Sequence, residues 1–121
     1  MDKKIVVCGC TDFGYEIVDF LLTNGINISH LVSLSPEQAI QYKVSGYKSF
    51  ELLSTKYGIP IYYPKLYSMK ETDFDFFEKE KFDLLLVCGW QRLIPNKILE
   101  TIKICGIGSH GSSDLLPKGR G

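Results

Sequence analysis

The sequence lacks any apolar run near the ~20 residues that a membrane-spanning helix needs, which excludes such a helix within these 121 residues. It lacks an excess of either charge. Its 14 basic residues balance its 14 acidic ones. The chain therefore carries no electrostatic footprint for nucleic acid, although a balanced domain can serve in a larger protein with such a partner. Cysteine pairs at metal spacing are missing too. Cys8-x-Cys10 is too tight for a zinc knuckle, and no second pair stands near Cys88 or Cys105. Cys8, Cys88 and Cys105 each lie in an apolar run and read as small buried hydrophobes in a reducing compartment. The opening "MDKKIVVCGC" has two lysines before a short apolar run but no signal-peptide cleavage pattern, so a cytoplasmic location is expected. Repeats, linkers and low-complexity tracts are absent. The 121 residues make one domain, 1–121. At that size folding buries roughly two thirds of the unfolded chain's surface.

What is present is alternation. Ile5-Val6-Val7-Cys8 is short, continuous and bounded by Gly9, as in a strand buried on both faces. "TDFGYEIVDFLLTNG" follows as a helix capped by Thr11 or Asp12 and stopped by Gly25, with Phe13, Ile17, Phe20 and Leu21 expected on its buried face. Ile28 to Leu34 predicts a second strand. "SPEQ" predicts a capping box with Ser35 as N-cap, Pro36 at the first helical position and Gln38 closing the box, in a helix running to Val44. Phe50 to Tyr57 predicts a helix closed by Gly58. "IPIYY" predicts a short strand whose Pro60 suits an edge position. Tyr62, Tyr63, Pro64 and Tyr67 read as loop. Thr72 to Lys81 predicts a polar helix burying Phe74 and Phe77, Leu84 to Cys88 a strand, "IPNKILETI" a short helix entered through Pro95, and Ile104 to Ile107 the last strand. Such alternation predicts a doubly wound α/β fold with a mostly parallel sheet. In that fold the turns after Cys8, Cys88 and Ile107 leave one edge, where ligands bind.

The three turns differ in content. "GCTDFG" (Gly9–Gly14) follows a strand and opens a helix. Thr11 stands where the dinucleotide fingerprint G-x-G-x-x-G needs its second glycine, which disfavours NAD or FAD. The helix N-terminus leaves two readings open: a hold on one phosphate or other anion, or a capped turn without a ligand. "CGWQRLIP" (Cys88–Pro95) also leaves two. Trp90 can wall a pocket for a flat ring while the backbone of Arg92, Leu93 and Ile94 reads a heterocycle's edge, or Trp90, Leu93 and Ile94 can fill core. "GIGSHGSSDLLPKGRG" (Gly106–Gly121) sets His110 among glycines at a strand exit, where a core role explains it poorly and proton handling near neutral pH explains it well. A Ser-His-Asp hydrolase has little support. No G-x-S-x-G elbow exists, and Ser109 and His110 are adjacent and would point apart on a strand.

Together, "LLLVCGWQRLIPNKIL" and "GIGSHGSSDLLPKGRG" resemble the N-terminal domain of the formyltransferases that use 10-formyltetrahydrofolate. That family includes methionyl-tRNA, glycinamide ribonucleotide and sugar-amine formyltransferases. The likeness covers the whole chain in layout and the final third in motif. It implies a Rossmann-like, truncated α/β domain, a fragment of a longer enzyme that is inactive alone. His110 would be the catalytic residue that handles the oxyanion or proton. Trp90, Arg92, Leu93 and Ile94 would bind the pterin of the donor, 10-formyltetrahydrofolate. Ser112, Leu115, Leu116, Pro117 and Arg120 would form the substrate-binding segment after the histidine. The acceptor would be a small amine such as a nucleotide sugar or, as a second choice, charged initiator tRNA. No metal is implied.

Three departures from the family pattern stand out. Gly108 replaces the asparagine two residues before the histidine, which removes one expected oxyanion donor, a loss that typically costs about 100- to 1000-fold in rate. Ser113-Asp114 lengthen the loop between His110 and Leu115 by two residues. The family's catalytic aspartate is expected beyond Gly121. The competing reading is a non-catalytic Rossmann-like module holding a nucleotide or anion at Gly9–Gly14.

Overall fold

A computed structural model describes residues 3–109 of the chain. Five strands, β1 (Ile5–Cys8), β2 (His30–Val32), β3 (Ile61–Tyr62), β4 (Leu84–Cys88) and β5 (Cys105–Ser109), form one sheet in the order β3-β2-β1-β4-β5. Every pairing is parallel, so the mostly parallel sheet expected from sequence is wholly parallel among the described residues. The Pro60 strand, β3, does take an edge.

Helices α1 (Asp12–Thr23), α2 (Pro36–Gln41), α3 (Glu51–Tyr57), α4 (Asp73–Glu80) and α5 (Asn96–Leu99) fill the connections. Side chains alternate along each strand, so neighbours in sequence serve opposite faces. Val6, Cys8, Val32, Leu85 and Val87 pack with Phe77 of α4 and Ile98 and Leu99 of α5 on one face. Val7, Leu31 and partly buried Leu86 pack with Val18 of α1 and Leu53 of α3 on the other. Burial on both faces explains why the central strands read as unbroken apolar runs.

The caps behave as their residues dictate. The Thr11 hydroxyl accepts from the Gly14 N–H at 3.3 Å. The Ser35–Gln38 box closes both ways, at 3.2 Å and 2.9 Å. Gly58 ends α3 at φ 67°. Several boundaries differ from expectation. The second strand is only His30–Val32. Helix α2 stops at Gln41, because Lys43 turns left-handed at φ 53° and the Val44 N–H closes back on Ala39 O at 3.0 Å. Strand β5 begins one residue later and reaches Ser109.

The buried face of α1 is a larger correction. Phe13 and Phe20 are 52% and 66% exposed, while Gly14 and Val18 face the sheet. A Cβ on Gly14 would lie 2.1 Å from Cys88 O, so the missing side chain lets the helix backbone seat directly on the end of β4. That contact sets the rotation of α1 and turns the phenylalanines outward.

Candidate functional site

The sheet reverses its winding between β1 and β4. The crossovers from β1 run toward β3, and those from β4 run toward β5. The crevice at such a reversal is the usual ligand site of open α/β sheets. Here backbone fills it. A Cβ on Gly9 would meet Cys88 O at 2.3 Å, and one on Gly89 would meet Thr11 Oγ1 at 2.1 Å. The Cys10 N–H donates to Gly89 O at 3.0 Å. Glycines that could admit a phosphate instead admit another stretch of this chain.

The start of α1 is likewise engaged. The Asp12 N–H donates to Gly46 O at 2.9 Å. The Phe13 N–H donates to its neighbour's Asp12 Oδ1 at 2.8 Å, and Gly14 N–H is taken by Thr11. The segment before α3 lies across this end, bridging Tyr47 to Thr11 and passing the Lys48 N–H to Cys10 O at 3.0 Å. Of the two readings left open for Gly9–Gly14, the structure favours the capped turn: the first donors of α1 are paired, and a carboxylate already sits among them.

The turn after β4 is the next exit on this edge. Gly89 opens it at φ 71°. Trp90 and Ile94 are buried, at 6% and 2% exposure, whereas Leu93 is 69% exposed and Gln91 and Arg92 lie at the surface. The turn thus divides its work: Trp90 and Ile94 fill core, as one of the sequence readings allowed, and the Gln91–Leu93 tip is presented to solvent. Among the described residues no backbone partner takes the N–H of Arg92, Leu93 or Ile94, and the Trp90 indole nitrogen is buried without a partner.

A residue that the sequence reading left in a loop sits at the centre of this region. Tyr67 is 1% exposed. Its hydroxyl accepts from the Gln91 N–H at 2.9 Å and lies 3.4 Å from Cys10 Sγ. Its ring meets Trp90 edge-on at 4.7 Å, and the Arg92 guanidinium rests 4.5 Å from its centroid. Burial pushes the phenol up, with the Cys10 contact adding to it. Burial also raises the Cys10 thiol against the pull of Tyr67 and Arg92, and holds Cys88 at about 11. These groups stay neutral at physiological pH. Behind Tyr67, buried Asp73 accepts from the Tyr62 hydroxyl at 2.5 Å and from the Lys65 and Leu66 N–H groups at 2.8 Å and 3.1 Å, so the whole 62–67 stretch is anchored. Neither Tyr67 nor Asp73 falls in a periodic pattern. The only signal was an aromatic cluster next to a helix start.

Strand β5 lies beside β4 in full register, with Cys88 opposite Ser109. The two strands therefore end side by side. His110, Ser112, Leu115, Leu116, Pro117 and Arg120 lie outside the described residues. Among the described residues no cluster of His, Cys, Asp or Glu could hold a metal ion, and no helix is long and apolar enough to cross a membrane.

No protein-family model matches the chain. Curated relatives do. The chain is 28% identical over 118 residues to methionyl-tRNA formyltransferase of Ligilactobacillus salivarius, covering 98% of this chain and 36% of the relative. It is 30% identical over 119 residues to the protein of the same name in Mycoplasma mycoides, again covering 98% and 36%. The chain thus spans about a third of the length of these relatives. Among solved structures, phosphoribosylglycinamide formyltransferase from Anaplasma phagocytophilum shares the fold, with a TM-score of 0.59 over 88% of this chain and 50% of that one at 19% identity. From end to end the chain is thus similar to about a third of the length of methionyl-tRNA formyltransferases, and it shares the α/β fold of a solved formyltransferase.

Proposed function

We propose that this domain binds 10-formyltetrahydrofolate and takes part in moving its formyl group to an amine, in the manner that its relatives' names describe. The observation that carries the reading is the match over 98% of the chain to methionyl-tRNA formyltransferases. The pairing of Cys88 with Ser109 supports it, because His110 follows in sequence directly from the strand beside the Trp90 turn. The turn fits a pterin. Leu93 offers an exposed apolar contact, and the Arg92, Leu93 and Ile94 amides have no backbone partner among the described residues. A flat heterocycle with donors and acceptors along one edge is what such a backbone can read.

The folate supplies an activated formyl carbon; the chain orients it. As the amine adds, charge builds on the formyl oxygen, and His110 is the residue assigned to donate a hydrogen bond there. With Gly108 in place of an asparagine, more of that burden falls on the histidine.

Balanced charge suits a small amine such as a nucleotide sugar. The two relatives described above are instead named for methionyl-tRNA. The amine of an aminoacyl-tRNA is therefore the preferred acceptor. With no excess positive charge to hold an RNA body, this domain would meet only the acceptor end. The competing nucleotide- or anion-binding module is weakened by the engaged donors at α1.

Calorimetric titration with 5-formyltetrahydrofolate, a stable reduced folate, tests the reading. Leu93→Asp and His110→Ala should weaken binding without lowering Tm. Binding of NAD or a nucleotide sugar in place of the folate, unchanged by either substitution, would overturn it.

A further inference from the structure

We infer that Tyr67 is a positioning residue for the Trp90–Ile94 turn: its hydroxyl and ring, carried on a segment that Asp73 anchors, set the shape in which the turn's tip meets its ligand. The inference rests on the folate reading above for the ligand, and on geometry alone for the positioning.

The turn cannot shape itself. It opens on a left-handed glycine, and among the described residues no backbone hydrogen bond takes its Arg92, Leu93 or Ile94 amides. Contacts from outside the turn hold it, and three of them come from Tyr67. The Gln91 N–H donates to Tyr67 Oη, which leaves the phenolic proton for Cys10 Sγ. The Cys10 thiol in turn lies 3.6 Å from Gly89 O. One run of hydrogen bonds thus leads from the tip of the turn, through the β3–α4 connection, into the β1 turn and back to the base of the same turn. A buried phenol that served only to fill space would pair with whatever lay nearby. This one pairs with the first exposed residue of the candidate binding tip, and its ring carries both Trp90 and the Arg92 guanidinium.

The backbone that leads into Tyr67 is itself held. Asp73 fixes the Lys65 and Leu66 amides, and Gln38 Nε2 donates to Pro64 O at 2.6 Å. A rigid support of this kind is what holds a binding group in register. Tyr67 touches neither formyl donor nor acceptor in this account. It acts through the turn.

The test is Tyr67→Phe, which keeps the ring and removes the hydroxyl. Ser54→Ala is the control: it deletes the Ser54 hydroxyl bond to Ile59 O, which ties the end of α3 well away from the turn. Trp90 is the only tryptophan, so its fluorescence reports on the turn directly. In Tyr67→Phe the emission should shift to the red and become more accessible to acrylamide, and the Kd for 5-formyltetrahydrofolate should rise about five- to tenfold, the scale of one buried hydrogen bond. Ser54→Ala should lower Tm while leaving both readouts alone. Equal folate affinity in Tyr67→Phe and wild type overturns the inference, and so does an unchanged Trp90 spectrum. If the wild-type chain binds no reduced folate, the ligand reading falls separately and the spectrum alone decides the positioning role.

Discussion

At the scale of single residues, the contacts that fix this fold are those of atoms that are missing. Gly14 sits in the first turn of α1, where alanine would ordinarily favour a helix by about 1 kcal/mol. The Cβ so added would stand 2.1 Å from the Cys88 carbonyl, a backbone atom at the end of β4. Overpacking against main chain outweighs propensity, and Gly14→Ala should destabilise by about 2–3 kcal/mol in urea unfolding. Propensity alone predicts the opposite sign, so the direction of the shift in midpoint decides. A second residue-scale expectation concerns pH. His30 packs edge-on against Phe76 and Phe82, with the Ser29 hydroxyl at Nδ1 and Glu80 and Lys4 as the charged groups facing it. Burial lowers its pKa below the usual value, with Lys4 adding to the drop and Glu80 opposing it. The folded state then binds fewer protons than the unfolded one, so stability is full above the ordinary histidine range and falls as pH drops through it. Glu80, bonded by Lys4 at 2.9 Å, is shifted below the usual carboxylate value, and its contribution is lost only in stronger acid. Thermal unfolding from pH 7.5 to 5 should show a fall in Tm that His30→Phe flattens. An identical slope in that variant would count against the assignment.

At the scale of elements, the sequence was legible wherever a local rule settled the outcome. The Thr11 cap, the Ser35–Gln38 box, the Gly58 stop and the edge position of the Pro60 strand all follow from the chemistry of one to four residues. The rotation of α1 does not. Its apolar stripe, Phe13, Ile17, Phe20 and Leu21, suggested the core face; Leu21 does pack against the core, but Phe13 and Phe20 turn outward and Gly14 and Val18 are the buried residues. A periodic pattern counts side chains, and the deciding contact here is a close approach of two backbones, to which a glycine adds no hydrophobicity. Tyr15 turns toward Phe50, edge-on at 5.9 Å, which leaves Phe13 and Phe20 on the opposite flank of the helix. The two faces should respond very differently to truncation. Val18→Ala removes fully buried methyls and should cost about 1–3 kcal/mol, whereas Phe20→Ser, at a side chain 66% exposed, should stay within about 0.5 kcal/mol. Chemical denaturation of both variants checks this, and a large loss in Phe20→Ser would restore the face that the pattern implied.

At the scale of the whole molecule, topology places the candidate site and packing decides which part of the edge is usable. The sequence implied that β1, β4 and β5 end on one edge, because alternating strands and helices allow little else. It could not show that the first turn and the base of the second would close on each other through Gly9, Gly14 and Gly89, nor that Tyr67 would arrive from the β3–α4 connection to brace what remained. Both depend on contacts between residues distant in sequence: 79 positions separate Cys10 from Gly89, and 24 separate Tyr67 from Gln91. The binding region we propose therefore lies toward the ends of β4 and β5 rather than in the β1–β4 crevice. Ligands that need the crevice and those that need the β4 turn should therefore separate cleanly. Inorganic phosphate and NAD would compete with Gly46 O, Thr11 Oγ1 and the Asp12 carboxylate for donors already paired, and they should leave Tm where it is. A reduced folate engaging Leu93 and the neighbouring amides should raise Tm with concentration, as any ligand of the folded state does. The same thermal scan reads both arms, and a phosphate-dependent rise that survives Leu93→Asp would return the site to the crevice and the protein to the class of nucleotide-binding modules.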